Sequence, residues 1–167
     1  MHLIIDGYNL LHVDRSLINL QFLQLQRERE RLIDRLSIYQ KLKQCGMTVV
    51  FDGWEGGWST ETREKRKGIE VIFSRLGEKA DEVLKRLVKK KGSGVILITS
   101  DREVARFAGR MEVAVIPSEQ FREKLEERSS DGFEESPEED EKGMKKKGPS
   151  RRPSKKEKRA RAAFRKI

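Results

Sequence analysis

Acidic residues stand in this chain where they could share one site. They are Asp6, Asp52, Glu78, Asp81 and Asp101. Three follow short apolar runs, and the other two lie one helical turn apart at the start of an amphipathic stretch. Crowded carboxylates raise one another's pKa unless a cation joins them, and Mg²⁺ and Mn²⁺ prefer oxygen ligands. A divalent ion held by these acids could activate a water molecule for attack on a phosphodiester.

Each acid also has a purely structural explanation. An aspartate after a strand commonly stabilises a turn, and acids in the first turn of a helix complement its dipole. Asp81 lies one residue beyond Ala80, off the middle of the apolar stripe. Its carboxylate can therefore reach the edge of a sheet without opening the core. The combination of acids from separate segments favours a site more than any single acid does.

Strand and helix patterns alternate along residues 1–128. Strands are predicted at residues 2–5, 48–51, 70–73, 95–98 and 112–116, and amphipathic helices lie between them. Ser100 and Glu103 are spaced as a capping box for the helix after the fourth strand. This alternation predicts an α/β fold. We expect a three-layer α/β/α sandwich with a mostly parallel five-stranded sheet and right-handed crossovers.

The predicted sheet gathers the acids at one edge. Ligands of open parallel sheets bind beyond the carboxyl ends of the strands, near the point where strand order reverses. Asp6, Asp52 and Asp101 follow the first, second and fourth strands, and Asp81 begins the helix after the third. Four segments therefore direct carboxylates to this edge, which we call the rim.

The same segments resemble a known family. Residues 6–9 read DGYN, similar to the opening motif of NYN domains, specifically the YacP-like group of the PIN-like nuclease superfamily. Similar segments follow in the order of that group: RERLI at 29–33, VVFDG at 49–53, GEKAD at 77–81 and ITSD at 98–101. The resemblance covers residues 3–127, and it implies a PIN-like fold.

The resemblance also implies a metal-dependent endoribonuclease that hydrolyses single-stranded RNA, and members of the group are associated with mRNA cleavage on ribosomes. Asn9 would orient Asp6 or a phosphate, and Ser100 would support the water or metal shell. The implied catalytic residues are Asp6, Asp81, Asp101, Asn9 and Ser100. The implied ligands of Mg²⁺ or Mn²⁺ are Asp6, Asp81, Asp101 and Asp52.

Residues 53–68 combine aromatic and basic side chains beside the predicted rim. Aromatic rings stack on unpaired bases and cations bind phosphates, so this loop could hold single-stranded RNA. Packing of the two tryptophans onto the body is an equally good explanation. The candidate RNA-binding residues are Trp54, Trp58, Arg63, Lys65, Arg66 and Lys67. The first long helix carries Arg27, Arg29 and Arg31 among Glu28 and Glu30, an arrangement typical of a solvated face with side-chain ion pairs, and only Arg29 is kept as a minor candidate.

Residues 129–167 are predicted to form a disordered charged tail behind a domain of residues 1–128. Residues 131–141 carry seven acids and no base, whereas residues 142–167 carry thirteen bases and one acid. The basic half could gather mRNA or rRNA by releasing counterions. It could also serve only solubility, or fold onto the acidic half.

Composition limits the classes of function. The 37 Lys and Arg residues exceed the 28 Asp and Glu residues by nine, which favours polyanionic partners. No apolar run is long enough to span a bilayer, and no secretory signal is recognised, so we expect a cytoplasmic protein without a membrane partner. Cys45 is the only cysteine, which excludes an internal disulfide, and with His2 and His12 it supplies one ligand too few for a closed zinc site of cysteine and histidine. Nothing indicates a small-molecule cofactor.

Two other classes of protein compete with a nuclease. Receivers and phosphatases also gather aspartates at strand ends, but the DGYN segment lacks the second aspartate of the phosphatase pattern. The stronger alternative is an RNA-binding or ribosome-binding protein without catalysis, which would use the basic tail. The RNA target, the number of metal ions, activity on DNA and the oligomeric state stay open.

Overall fold

Six β-strands form one sheet within the residues that the computed structural model describes, namely 1–14, 22–53, 59–130 and 154–167. The strands are β1 (His2–Asp6), β2 (Gly46–Phe51), β3 (Thr62–Arg66), β4 (Ile69–Phe73), β5 (Val95–Ile98) and β6 (Ala114–Ile116). Their order across the sheet is β3-β4-β2-β1-β5-β6. β3 is antiparallel to β4, and the other neighbouring strands are parallel. Along the chain, β2, β3 and β4 are added on one side of β1, and β5 and β6 are then added on the other side. Strand order therefore reverses between β1 and β5.

Helices cover both faces of the sheet. They are α1 (Gly7–Leu11), α2 (Phe22–Lys43), α3 (Ala80–Lys91), α4 (Arg102–Arg110), α5 (Ser118–Ser130) and α6 (Lys155–Lys166). The apolar stripes of α3 and α4 bury against one face, and α1, α2 and α5 pack on the other with residues of α6. The predicted α/β/α sandwich with a mostly parallel sheet is confirmed. None of these described helices has the length and apolar character needed to cross a bilayer.

The sheet has one strand more than predicted. Residues 62–66, expected within a loop, form β3, which pairs with β4 through a tight turn at Lys67 and Gly68. Both turn residues have positive φ, 49° and 91°, as a two-residue hairpin turn requires. The segment TREKR carries no apolar residue, because an edge strand exposed to solvent can be wholly polar and charges there discourage pairing with other chains. The apolar alternation used for prediction is therefore absent.

The C-terminal segment also differs from the sequence expectation. Residues 131–153 lie outside the described ranges, but α6 packs beside β6, and Ala163 and Ile167 are buried in the core. The Tyr39 hydroxyl donates a hydrogen bond of 2.6 Å to the Ile167 carbonyl oxygen. A short apolar stripe at helical spacing is formed by Ala160, Ala163, Phe164 and Ile167. A count of the composition of the tail does not reveal it. The last part of the presumed tail is thus a structural element of the domain.

Replacing Ala163 by arginine should destabilise the protein. Ala163 is 5% exposed, so a long charged side chain there must either overpack the contact or force α6 off the sheet. We expect a loss of about 2 kcal/mol or more in the free energy of unfolding, measured by urea denaturation. Ala162→Arg is the matched control, because Ala162 is exposed on the same helix. Equal stability of the two variants would show that α6 does not dock.

Candidate active site

Three strand ends and one helix start bring four aspartates to the rim. Asp6 is the last residue of β1, Asp52 directly follows β2, and Asp101 is three residues beyond β5. The fourth aspartate, Asp81, is the second residue of α3. β1, β2 and β5 are neighbours and parallel, so they end at the same edge. The structure therefore places all four candidate metal ligands around the point where strand order reverses.

Asp6 is the most buried of these acids, at 5% exposure. Its carboxylate accepts hydrogen bonds from the Asn9 backbone N–H at 3.1 Å and from the Thr99 hydroxyl at 3.0 Å. Burial raises the pKa of Asp6 to about 6, and the charges of Asp81 and Asp52 act in the same direction, whereas the two hydrogen bonds oppose it. The negative charge of Asp6 at neutral pH therefore lowers the free energy of unfolding.

Asp81 completes a group of interacting like charges. Burial raises its pKa, and the neighbouring charges of Asp101 and Asp52 raise it further, whereas the charge of Lys85, which is bonded to Glu82 and Glu103, opposes them. Among the described residues, none of the four rim aspartates forms a salt bridge. Glu78, the remaining acid singled out in the sequence, instead bonds Arg86 and lies near Arg75. The rim therefore holds four carboxylates without a paired cation in the described part of the chain.

Helix starts orient two carboxylates besides that of Asp6, which caps α1. Asp52 Oδ1 accepts a hydrogen bond of 2.5 Å from the backbone N–H of Ala80, the first residue of α3. Asp101 caps α4, because its Oδ1 accepts from the backbone N–H groups of Glu103 and Val104, both at 2.8 Å. Each residue uses Oδ1 for these bonds, which fixes the direction of its Oδ2. Part of their role is therefore structural, as the sequence allowed.

Asn9 and Ser100 connect the loops that carry the acids. Asn9 Oδ1 accepts hydrogen bonds from the Ser100 backbone N–H at 2.9 Å and from the Ser118 hydroxyl at 3.0 Å. Ser100 Oγ accepts from the Ser118 backbone N–H at 3.0 Å and donates to the carboxylate of Glu119. The predicted capping box of Ser100 is wrong, because Asp101 caps α4 instead. The Asn9 side chain therefore ties α1 to the loop after β5 and to the start of α5, and the Ser100 side chain ties that loop to the start of α5.

The donor set suits a hard divalent cation in charge and in atom type. All four side chains are carboxylates, which Mg²⁺ and Mn²⁺ prefer as ligands. Within the described ranges, no three acidic, histidine or cysteine side chains are grouped closely enough to form a ready-made metal site. The carboxylates would therefore have to close in on an ion, whose attraction for them would have to exceed their mutual repulsion.

The four predicted RNA-binding residues that the structure describes do not form one group at the rim. Trp54 and Trp58 lie outside the described residues. Arg63 pairs with Ile72 in the ladder, one residue from the rim end of β4, and bonds Glu61 and Glu70.

The other three lie farther along the hairpin. Lys65 stands opposite Glu70, and Arg66 and Lys67 lie at the end of the strands that is farthest from the aspartates. Arg66 bonds Glu64, and Lys67 bonds Asp34. A loop spanning the acids was expected, but the β3-β4 hairpin carries these cations away from the rim.

Arg29 stands at the rim, although the sequence pattern made it only a minor candidate. Its guanidinium carbon lies 5.9 Å from the centre of the Phe51 ring and 5.5 Å from that of the Phe73 ring, and it interacts with the Tyr8 hydroxyl. Arg29 is four residues from both Leu25 and Ile33, at the spacing of the apolar stripe of α2. A cation at such a position was the signal that could have identified it.

Comparisons with known proteins agree with the fold. The family model described as YacP-like NYN domain matches residues 3–166, which includes α6. A solved structure of a mutant of Rae1 (YacP) from Bacillus subtilis is 23% identical, with a TM-score of 0.62 and coverage of 78% of this chain and 79% of that chain. A second structure of Rae1 (YacP) from Bacillus subtilis is 25% identical, with a TM-score of 0.59 and 78% coverage of both chains. No curated protein matches the chain significantly.

Replacing Asp6 by asparagine should stabilise the metal-free protein at neutral pH. The folded-state pKa of Asp6 is raised from 3.8 to about 6, so its ionisation costs the folded state stability as pH rises between these values. Well below pH 3.8 the carboxyl is protonated in both states and the cost vanishes, whereas well above pH 6 it is complete. Asparagine keeps an acceptor oxygen and removes the charge, so we expect a gain of about 3 kcal/mol at pH 7.5 that falls below about 1 kcal/mol near pH 4.

Urea denaturation in EDTA at both pH values measures this difference. Asp34→Asn is the control, because Asp34 is exposed and bonds only a surface lysine in the described contacts. Its effect should stay within about 0.5 kcal/mol. A stability gain of Asp6→Asn that is the same at both pH values would contradict the raised pKa.

Proposed function

The chain belongs to the YacP-like NYN domain family, and from that premise we propose that it is a metal-dependent endoribonuclease. NYN domains are grouped with the PIN-like nucleases, so hydrolysis of nucleic acid is the activity that membership favours. One observation carries the proposal for this chain. Four carboxylates from separate segments lie along the rim, and none of them forms a salt bridge with the described residues. Their mutual repulsion opposes folding, although three of them also accept backbone hydrogen bonds at helix starts, and such an unneutralised group is typical of a site selected for chemistry.

Mg²⁺ or Mn²⁺ is the proposed cofactor, held by Asp6, Asp81 and Asp101. Asp81 is the freest of the three to move, because none of the described residues bonds its carboxylate. Asp52 would support the site from the start of α3, since its Oδ1 is held by Ala80. When bound, a divalent ion supplies an activated water and offsets the negative charge that develops on the phosphodiester.

The roles of Asn9 and Ser100 in this proposal are positional. Asn9 binds the loop after β5 through Ser100, while its own backbone N–H holds the carboxylate of Asp6. The distance between Asp6 and Asp101 is therefore controlled by a short network of hydrogen bonds. Such preorganisation reduces the cost of bringing catalytic groups into register when substrate binds.

Single-stranded RNA is the proposed substrate, with mRNA, including mRNA on the ribosome, as its source. The excess of nine positive charges favours a polyanion. α6 contributes to that excess from the surface of the domain, since Lys158, Arg161 and Arg165 are exposed. These cations would add affinity without base selectivity, because contacts with phosphates carry no sequence information.

A non-catalytic RNA-binding or ribosome-binding protein is the second candidate. The observation that favours it is the lack of a ready-made cluster of three metal ligands among the described residues. This candidate predicts RNA binding that is insensitive to divalent ions and to substitution of the rim aspartates. The two candidates therefore differ in the same assay.

Cleavage of labelled single-stranded RNA should require a divalent ion and the rim aspartates. We expect activity with Mg²⁺ or Mn²⁺, none in EDTA, and a fall of at least about a hundredfold in Asp6→Asn and Asp81→Asn, because each substitution removes a charged ligand. Asp34→Asn is the matched control and should cleave as the wild type does. Cleavage that persists in EDTA or in both variants excludes the proposed mechanism. Binding without cleavage, also when ribosomes present the mRNA, would favour the second candidate.

Metal binding should also be visible without any substrate. Mn²⁺ binding only to the folded protein stabilises it, by about 2.7 kcal/mol at a concentration a hundred times its Kd. The unfolding temperature of the wild type should therefore rise with Mn²⁺, and the rise should be lost in Asp81→Asn. An equal rise in both proteins would place the ion elsewhere.

A further inference from the structure

Arg29 lies on an aromatic surface at one side of the rim. The rings below it belong to Phe51 and Phe73, the last residues of β2 and β4, and Asp52 follows Phe51 directly. Tyr8 packs edge-on against Phe51, with 5.2 Å between the ring centres. Arg29 therefore approaches the strand ends from the α2 face, whereas Asp81 and Asp101 approach them from the face covered by α3 and α4.

The charge of Arg29 has no acidic partner within the described residues. Arg31 on the same helix differs, because it bonds Glu28 at 2.6 Å and its side chain is 73% exposed. Arg29 is only partly exposed, and two rings hold its guanidinium in place. An arginine held against aromatic rings keeps its N–H donors at the edge of the guanidinium plane. It can then bind a phosphate with two parallel hydrogen bonds.

We propose that Arg29 binds a backbone phosphate of single-stranded RNA next to the phosphodiester that reaches the aspartates. β2 lies directly beside β1, and β4 lies beside β2. With neighbouring strands about 4.8 Å apart, Arg29 stands roughly one to two strand spacings from the end of β1. That separation suits a neighbouring phosphate of the same strand. The RNA identity of the ligand rests on the proposed function, whereas the phosphate site rests on the contacts of Arg29.

The negative charge of the rim explains why a cation beside it would help RNA to bind. Four aspartates at the rim repel an approaching phosphate backbone, and the described cations of the β3-β4 hairpin are mostly bonded to acids or lie at the far end of the strands. Arg29 is the partly buried cation whose position lets it offset this repulsion beside the site. It would hold the strand while the aspartates act on the next linkage.

Arg29 with only a structural role would stabilise the packing of α2 on β2 and β4. The two roles predict different behaviour for Arg29→Lys and Arg29→Met. Lysine keeps the charge and loses the planar fork, whereas methionine keeps much of the apolar packing and loses the charge. Phosphate binding predicts that lysine retains part of the affinity for RNA and that methionine does not. A packing role predicts that methionine is tolerated at least as well as lysine.

Fluorescence anisotropy with a short labelled oligouridylate in EDTA measures binding apart from cleavage. We expect Arg29→Met to bind about tenfold more weakly than the wild type, and its plot of log affinity against log salt to lose the slope of about one phosphate contact. Arg29→Lys should recover part of the affinity. Arg27→Met and Arg31→Met are matched controls from exposed positions of the same helix and should bind as the wild type does.

Two outcomes would overturn the proposal. One is an affinity and salt slope of Arg29→Met equal to those of Arg27→Met. The other is an equal loss of binding in Arg29→Met and Arg29→Lys with an unchanged salt slope, because a packing defect would then be the cause. Thermal unfolding shows whether each variant is folded. If Arg29→Met does not fold, the salt slope of Arg29→Lys is compared with that of the wild type instead.

The same proteins separate this inference from the proposed nuclease function. A wild type that binds oligouridylate but cleaves neither it nor mRNA presented by ribosomes in Mn²⁺ refutes the nuclease, and the binding data still decide the role of Arg29. If the wild type cleaves, Arg29→Met should raise KM with a smaller change in kcat, because its contact lies beside the reacting linkage. Cleavage with an unchanged KM overturns the Arg29 site and leaves the nuclease function standing.

Discussion

Parallel strands end at the same edge of a sheet, and in this protein that rule concentrates negative charge. β1, β2 and β5 are neighbours, and an aspartate follows or ends each of them. Burial and the charges of Asp81 and Asp52 together raise the pKa of Asp6 to about 6. A buried carboxylate without a cation lowers the stability of the folded state at neutral pH. The rest of the fold has to tolerate this group of charges, and its arrangement shows how.

Helix N-termini supply the partial positive charge that the described side chains do not. Asp6 caps α1, Asp101 caps α4, and Asp52 accepts the N–H of Ala80 at the start of α3. Backbone N–H groups at a helix start both bond a carboxylate and complement its charge through the helix dipole. These bonds hold Asp6, Asp52 and Asp101 in position while leaving the net charge of the rim unchanged. A divalent cation would therefore meet carboxylates that are already oriented.

The periphery of the fold supports this edge in different ways on its two sides. α6 packs beside β6 and places Ala163 and Ile167 in the core, so the basic C-terminal helix belongs to the scaffold that holds the site. At the opposite edge of the sheet, β3 forms a charged outer strand. On the face covered by α2, Arg29 lies over the ends of β2 and β4. Asp81 and Asp101 reach the rim from the face covered by α3 and α4, whereas Arg29 reaches it from the face covered by α2, so acids and a cation lie on opposite sides of the strand ends.

The sequence by itself determined the alternation of strands and helices, the α/β class and the candidate acids, because buried strands and amphipathic helices leave local patterns. β3 left no such pattern, since TREKR on an outer strand buries too little to need apolar residues. α6 has a short apolar pattern, but the many charged residues around it concealed that pattern. Only the tertiary structure decided which acids are paired and which cations reach them, because contacts such as Lys67 with Asp34 and Arg29 with Phe73 join residues that are distant in sequence. Charge compensation is a property of spatial neighbours, and spacing along the chain does not encode it.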